Sequence, residues 1–263
     1  MTALEIFQRY RDERRCQPID GYTVDRFPHL SRYTAATAGA EGFVVYAELN
    51  AGEEAAQIEV EIDYFAAHSQ RFEWKVYEFD HPANLRGLLE RRGFKFEEPE
   101  AFMVLPVTAW SPRAGRDPAA RVERVTDERG LRDVITLQEV LFAQDFGWLF
   151  DRYAAVLRTA PERVAMYCAY IDATAVGTGW IDFPDGSQFA ELHGGAVLPQ
   201  ARGTGVFSAL LDRRMIDAGQ RGYEFVAVDA APMSRPILER KGFQHVCWTH
   251  PMRLANAPQR NGE

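Results

Sequence analysis

Apolar positions in the second half of the chain switch repeatedly between strand and helix spacing. Val122–Val125 reads as a short strand, and Leu131–Phe142 repeats with helical period. The break "QDFGW" then separates that helix from another over about Leu149–Arg158. Three apolar runs follow, Val164–Ile171, Ala175–Asp182 and Phe189–Leu198, and predict strands. The stretch "VLPQARGTGVFSALLDRR", residues 197–214, leaves the last of them through a glycine-rich turn. It enters an amphipathic helix whose Val206, Phe207, Leu210, Leu211 and Met215 share one face. A strand at Phe225–Val228, a short helix at Ser234–Arg240 and a final strand around His245–Arg253 complete the pattern. Strands interleaved with helices predict a mixed α/β sheet.

The first half carries a partial echo of this order. "LLERRGF" at 88–94 matches "ILERKGF" at 237–243, and Met103 and Leu105 match Met252 and Leu254 at the same separation. A strand precedes each motif, "FEWKVY" at 72–77 and "EFVAV" at 224–228. An unbroken offset across a helix, a turn glycine and a strand favours duplication over chance recurrence of common helix formers. "QIEVEIDYF" alternates like a strand but also spaces Ile58, Ile62 and Phe65 like a helix; since "AAHSQ" extends it and a strand follows, it is predicted helical. Its entrance, "NAGEEAA", puts Glu53 and Glu54 where the second copy has Arg202 and two glycines. Carboxylates there would repel an anion, so the first half is expected not to bind the ligand of the second.

A segment rich in Pro, Gly and small residues, "AWSPRAGRDPAA" at 109–120, interrupts the patterning. The expected division is residues 1–110, a linker over 111–120, and residues 121–263. The chain has 263 residues, is 46% hydrophobic and has a formal net charge of −8, which argues against general nucleic-acid binding. Residues 1–110 hold 12 Lys and Arg against 19 Asp and Glu, the remainder 18 against 19, so a polyphosphate is better tolerated in the second half. Three cysteines, Cys16, Cys168 and Cys247, lack the spacing of a disulfide framework or a metal site. Cys168 and Cys247 fall in apolar runs and are expected to be buried and inert. No signal-like or membrane-spanning run occurs, so a cytoplasmic location is expected.

Two glycines in three residues let backbone N–H groups approach a ligand, and the helix N-terminus behind them favours negative charge. The turn therefore predicts an anion, most simply a phosphate. "AVLPQARGTG" with its following helix, strand, short helix and "ILERKGF" resembles the acetyl-coenzyme A-binding half of the GNAT superfamily of N-acetyltransferases. The likeness spans roughly 121–255, with a degenerate version over about 20–107. It implies two tandem GNAT-like mixed-sheet (α+β) domains, the first degenerate, and acetyl-CoA as co-substrate. Gln200, Gly203 and Gly205 match the family's turn motif. In the register starting at Arg202, Phe207 stands where a small residue is usual.

What the resemblance implies for individual residues is as follows. Backbone amides of Arg202, Gly203, Thr204, Gly205 and Val206 cradle the pyrophosphate, while Val197 and Leu198 pair with the pantetheine arm. The glycines in "HGGAV", 193–197, fit a bulged strand splayed from its neighbour. Glu191 matches the place of a general base acting through water, with His193 as second candidate; a solvated strand residue is the alternative for Glu191. The family's leaving-group tyrosine is replaced by Leu238, and the usual asparagine ahead of that helix by Ala231. Ser234 or a water is left as acid, though Ser234 suits a helix N-cap equally well. Asp145, Phe146, Trp148 and Trp248, with Asp151 and His250 nearby, are the candidates for binding a small-molecule or peptide amine. The expected activity is direct acetyl transfer to a primary amine. A coenzyme-binding module without catalysis, or transfer of a longer acyl group, are the alternatives.

Overall fold

In a computed structural model, which describes residues 1–15, 17–112 and 120–254, the chain divides into two compact units. The first comprises Met1–Met103 with Asp229–Glu263, the second Val104–Val228. In chain order the first unit opens with α1 (Ala3–Arg15), β1 (Tyr22–Phe27), β2 (Leu30–Ala35) and β3 (Gly42–Val45). It continues with α2 (Glu54–Ala67), β4 (Phe72–Tyr77), α3 (Leu85–Glu90), β5 (Phe94–Phe96) and the start of β6 (Glu100–Pro106). The second unit holds β7 (Arg121–Arg124), α4 (Glu128–Phe142), α5 (Gly147–Thr159), β8 (Val164–Ile171), β9 (Thr174–Asp182) and β10 (Phe189–Val197). Then come α6 (Val206–Gln220) and β11 (Phe225–Ala230), whose last two residues, like α7 (Arg235–Glu239) and β12 (Gln244–Leu254), belong to the first unit.

Both units share a topology. β1, β2 and β3 pair antiparallel and β3 joins β4 in parallel; β8, β9 and β10 pair antiparallel and β10 joins β11 in parallel. The helix inside each parallel connection is α2 in one copy and α6 in the other. The repeat read from "LLERRGF" and "ILERKGF" thus corresponds to a structural duplication, and the ambiguous "QIEVEIDYF" is helical. The predicted strands and helices of the second half all occur, within a few residues of their expected bounds.

The units do not divide at the Pro- and Gly-rich segment 111–120, of which residues 113–119 lie outside the described residues. The reason is hydrogen bonding. β12 pairs antiparallel with β4, from Thr249↔Tyr77 to Arg253↔Glu73, and β5 pairs with β12 as well. The C-terminal strand therefore completes the sheet of the first unit, and a cut by local composition could not register so distant a partner.

Trp74, Ile58, Phe65, Leu85 and Leu89 pack the first unit's core with Met252 from β12. Glu61, in α2, is 1% exposed and lies 3.4 Å from the Arg32 guanidinium. Burial raises the Glu61 pKa, with Arg32 opposing. In the second unit, α4 and α5 cover one sheet face through Leu131, Val134, Ile135, Leu149, Tyr153 and Val156, against Met166, Cys168 and Trp180. α6 packs on β8, β9 and β10. Gly177, on β9, allows this approach: a Cβ there would stand 2.8 Å from Val206 Cγ1. Cys168 and Cys247 are buried free thiols as expected, and burial pushes the Cys168 thiol up to about 11. Cys16 lies outside the described residues. Among the described residues no helix is long and apolar enough to cross a membrane, and no group of three His, Cys, Asp or Glu is placed to hold a metal ion.

Candidate active site

The glycine-rich turn is built to expose its amides. Gly203 and Gly205 have φ of +75° and +92°, a left-handed backbone that side-chain-bearing residues rarely adopt. A Cβ at either would meet nothing within 4 Å, so conformation and not crowding requires glycine. Gly205 is the N-cap of α6 and supplies no side-chain cap. Among the described residues the N–H groups of Gly203, Thr204, Gly205 and Val206 make no hydrogen bond. The first N–H groups of a helix have no partner inside it, and here nothing local replaces one. Thr204 Oγ1 instead donates to Ala201 O at 2.7 Å. Arg202 differs from its neighbours, because its N–H donates to Pro199 O at 3.2 Å and its Nε to Val197 O at 3.2 Å.

β10 leads into this turn and parts from β11 on the way. Their parallel pairing runs from Phe189↔Phe225 to Glu191↔Ala227 and stops, although β10 continues to Val197. Leu198 N–H donates to Val176 O at 2.9 Å, on the β9 side. Strand alternation then turns the N–H of Val197 toward the side that β11 has left. Of the two residues expected to pair with an extended ligand arm, Val197 therefore has its N–H directed there and Leu198 has its own already bonded.

Between His193 and Ala196 β10 carries a bulge: those two residues pair with Trp180 and Thr178, three positions against two. The extra residue gives Gly194 a φ of +56°. Gln138 of α4, 3% exposed, donates from Nε2 to Gly194 O at 2.8 Å and fixes the bulge from one face.

Just ahead of the bulge three titratable side chains share that face. Glu191 pairs with Asp182 across the β9–β10 ladder, and His193 lies two residues on. His193 Nε2 is 3.7 Å from Asp182 Oδ2 and 3.8 Å from Glu191 Oε2. Tyr153 Oη donates to both Asp182 oxygens, at 3.2 and 3.1 Å, and Arg152 Nη2 stands 3.6 Å from Oδ2. The His193 ring stacks on Trp180 at 6.3 Å between centroids. Desolvation lowers the His193 pKa, but the neighbouring Glu191 and Asp182 carboxylates outweigh it, so the net shift is upward. Desolvation raises the Asp182 carboxyl, against the pull of His193 and Arg152. Tyr153 is held in its protonated form by burial and by Asp182.

Removing the Asp182 charge should therefore bring the His193 pKa down. In Asp182→Asn the imidazole titration, followed by NMR, is expected to move to lower pH; an unmoved or higher midpoint would show that Asp182 does not hold the proton on His193.

The other expected site residues are placed as follows. Asp145 accepts from Gly147 N at 2.8 Å and so starts α5, while Phe146 and Trp148 pack half-buried against the core of the second unit. Ser234, Leu238 and Trp248 belong to the first unit. Ser234 does not cap α7 with its side chain: its backbone is helical (φ −84°, ψ −33°), where a capping serine is usually extended. Leu238 is a core residue at 3% exposure. Trp248 lies beneath the Arg235 guanidinium, 4.7 Å from the ring centroid, and its backbone N–H donates to Glu78 Oε2 at 3.1 Å. Asp182, Gln138 and Tyr153 escaped the sequence reading. Asp182 was legible as the partner of Glu191 only once the β9–β10 register was known.

Residues 131–243 match the acetyltransferase (GNAT) family. A GCN5-related N-acetyltransferase from Kribbella flavida superposes with a TM-score of 0.64 at 14% identity, over 97% of this chain and 94% of that one. A tandem GNAT protein from the clavulanic acid biosynthesis pathway gives 0.63 at 13% identity, over 93% and 86%. A GCN5-related N-acetyltransferase from Sphaerobacter thermophilus gives 0.57 at 16%, over 87% and 81%. No curated protein matches the sequence. Residues 131–243 thus form a GNAT acetyltransferase domain, and the fold that the chain shares with these structures is a tandem of two GNAT-like halves.

Proposed function

We propose that the second half of the chain transfers the acetyl group of acetyl-CoA to a primary amine by direct attack within a ternary complex. The observation that carries this reading is the row of unbonded amides from Gly203 to Val206 at the start of α6, beside a strand whose neighbour has departed. Backbone N–H groups at a helix N-terminus suit a diphosphate, and the free side of β10 suits an extended amide-bearing arm.

An alkylammonium of pKa about 10.4 must lose a proton before it can attack a thioester. Glu191, whose side chain is 13% exposed, and His193 are the groups to take it, directly or through water. The N–H of Val197, turned to the side that β11 has left, supports a role in stabilising the developing oxyanion. The nitrogen forms its bond to the carbonyl carbon, the carbon–sulfur bond breaks, and sulfur leaves with the electron pair. A thiol of pKa near 8.5, like that of cysteine, leaves as thiolate without a dedicated acid, which fits a chain with Leu238 at the tyrosine position. The first half lacks the turn: Glu53 and Glu54 stand at the entrance of α2, and Glu53 Oε2 accepts from Asn50 Nδ2. Its role in this reading is structural.

Calorimetry with CoA tests the proposal. The wild-type chain is expected to bind it, and a Gly203→Val/Gly205→Val double variant to bind at least about tenfold more weakly, since β-branched residues resist positive φ. Absence of heat with the wild type, or equal affinity in the variant, would refute it.

A further inference from the structure

The face of the sheet opposite Glu191 holds a charge without a counter-charge. Arg214 sits on the buried side of α6, one turn beyond Leu210, and is 2% exposed. Its Nε donates to Leu210 O at 3.0 Å. Among the described residues neither terminal nitrogen makes a hydrogen bond, and no carboxylate comes within ion-pairing distance. The acid one turn further on, Asp217, accepts from Tyr167 Oη at 2.7 Å and faces Arg124 at 3.7 Å. Burial lowers the Arg214 pKa to about 10, with Tyr167 opposing, which leaves it protonated at neutral pH. A buried guanidinium that keeps its charge normally has an anion beside it.

Missing side chains define where that anion can come from. A Cβ on Gly179 would stand 2.8 Å from Arg214 Cζ, so the guanidinium occupies the room that this glycine leaves. A Cβ on Gly195 would lie 3.6 Å from Nη1 and 3.7 Å from Nη2, and 3.4 Å from the Phe207 ring. Gly195 belongs to the bulged segment of β10, beyond the point where β11 departs. In the β9–β10 ladder Glu191, His193, Trp180 and Asp182 point to one face, and Gly179 to the other. Nine residues of helix separate Arg214 from Gly205, about 13 Å at 1.5 Å each, so the guanidinium is out of reach of a diphosphate at the turn.

We infer that Arg214 receives the distal carboxylate of a dicarboxylic acyl group, so that the donor is a malonyl-, succinyl- or glutaryl-type thioester of CoA in preference to acetyl-CoA. This rests on the acyltransferase reading and revises its donor. A guanidinium presents parallel N–H donors that match a carboxylate, and at Gly195 no side chain stands between them and the bulged segment of β10. The amine is deprotonated from the Glu191 face while the acyl chain extends to the Arg214 face, so the two do not compete for room. Bond making and breaking are those described above; the distal carboxylate is unchanged, and the product amide carries it.

Calorimetry of the full chain with CoA, acetyl-, propionyl-, malonyl-, succinyl- and glutaryl-CoA tests this. At least one carboxylate-ended thioester is expected to bind tenfold or more tighter than propionyl-CoA. In Arg214→Met that advantage is expected to vanish, with CoA affinity held within about twofold. Should Arg214→Met fail to fold, as its melting curve would reveal, the wild-type ranking decides by itself. CoA and acetyl-CoA binding with no gain for any carboxylate-ended donor would overturn the inference and leave the acyltransferase reading standing; a chain that binds none of them overturns both.

Discussion

Replacing Glu191 with Gln is expected to lower turnover by about 10²-fold or more, the usual contribution of a positioned general base. The substitution keeps the size of the side chain and its place opposite Asp182 in the β9–β10 ladder, and removes its capacity to accept a proton. A glutamine also takes away one of the two negative charges that hold the proton on His193, so the His193 titration should move toward lower pH. The measurement is single-turnover release of free thiol with a reactive amine acceptor, followed across pH in both chains. A uniform drop at every pH assigns Glu191 as the base. A profile whose acidic limb moves to lower pH, with the rate at high pH largely kept, assigns the base to His193, with Glu191 tuning it. Unchanged rates throughout remove Glu191 from the mechanism.

The second large effect concerns stability. Gly194→Ala is expected to destabilise the fold by about 3 kcal/mol, combining overpacking with left-handed strain. Its Cβ would fall 1.7 Å from Trp180 Cζ3 and 2.2 Å from Cη2. Trp180 is 5% exposed and held edge-on by Tyr153 at 5.5 Å, so the ring has nowhere to retreat. Gly203→Ala provides the control: the φ is similar, the surrounding space is open, and a loss of only about 1 kcal/mol is expected. Urea unfolding of the two variants separates the terms; equal losses would show that Trp180 yields and that the bulge is not fixed by packing.

The contrast between these glycines shows what a sequence conceals. "RGTG" reads as a turn that brings amides to a ligand and "HGG" as a bulge in a strand, and neither reading says what the missing side chains make room for. At Gly203 and Gly205 the structure supports the conformational argument alone. At Gly194 and Gly179 the missing side chain makes way for Trp180 and Arg214, partners from β9 and α6 that no local window contains. Arg214 likewise reads as an ordinary polar residue in "LLDRRMIDAG", because helical spacing gives which residues share a face but not what that face meets. Its burial depends on glycines 35 and 19 positions away, Gly179 and Gly195.

From the sequence alone came the mixed α/β class, the order of strands and helices in the second half, the duplication, and the turn at Gly203 and Gly205. All are properties of local spacing and of residues with restricted or unusual backbone freedom, which act over a few positions. The tertiary structure decided the pairing of β12 with β4 in the first unit, the meeting of Asp182 with Glu191 and His193, and the isolation of the Arg214 charge. Those depend on strand register and on which faces are buried together, and hydrogen bonds and packing set both between segments far apart in the chain.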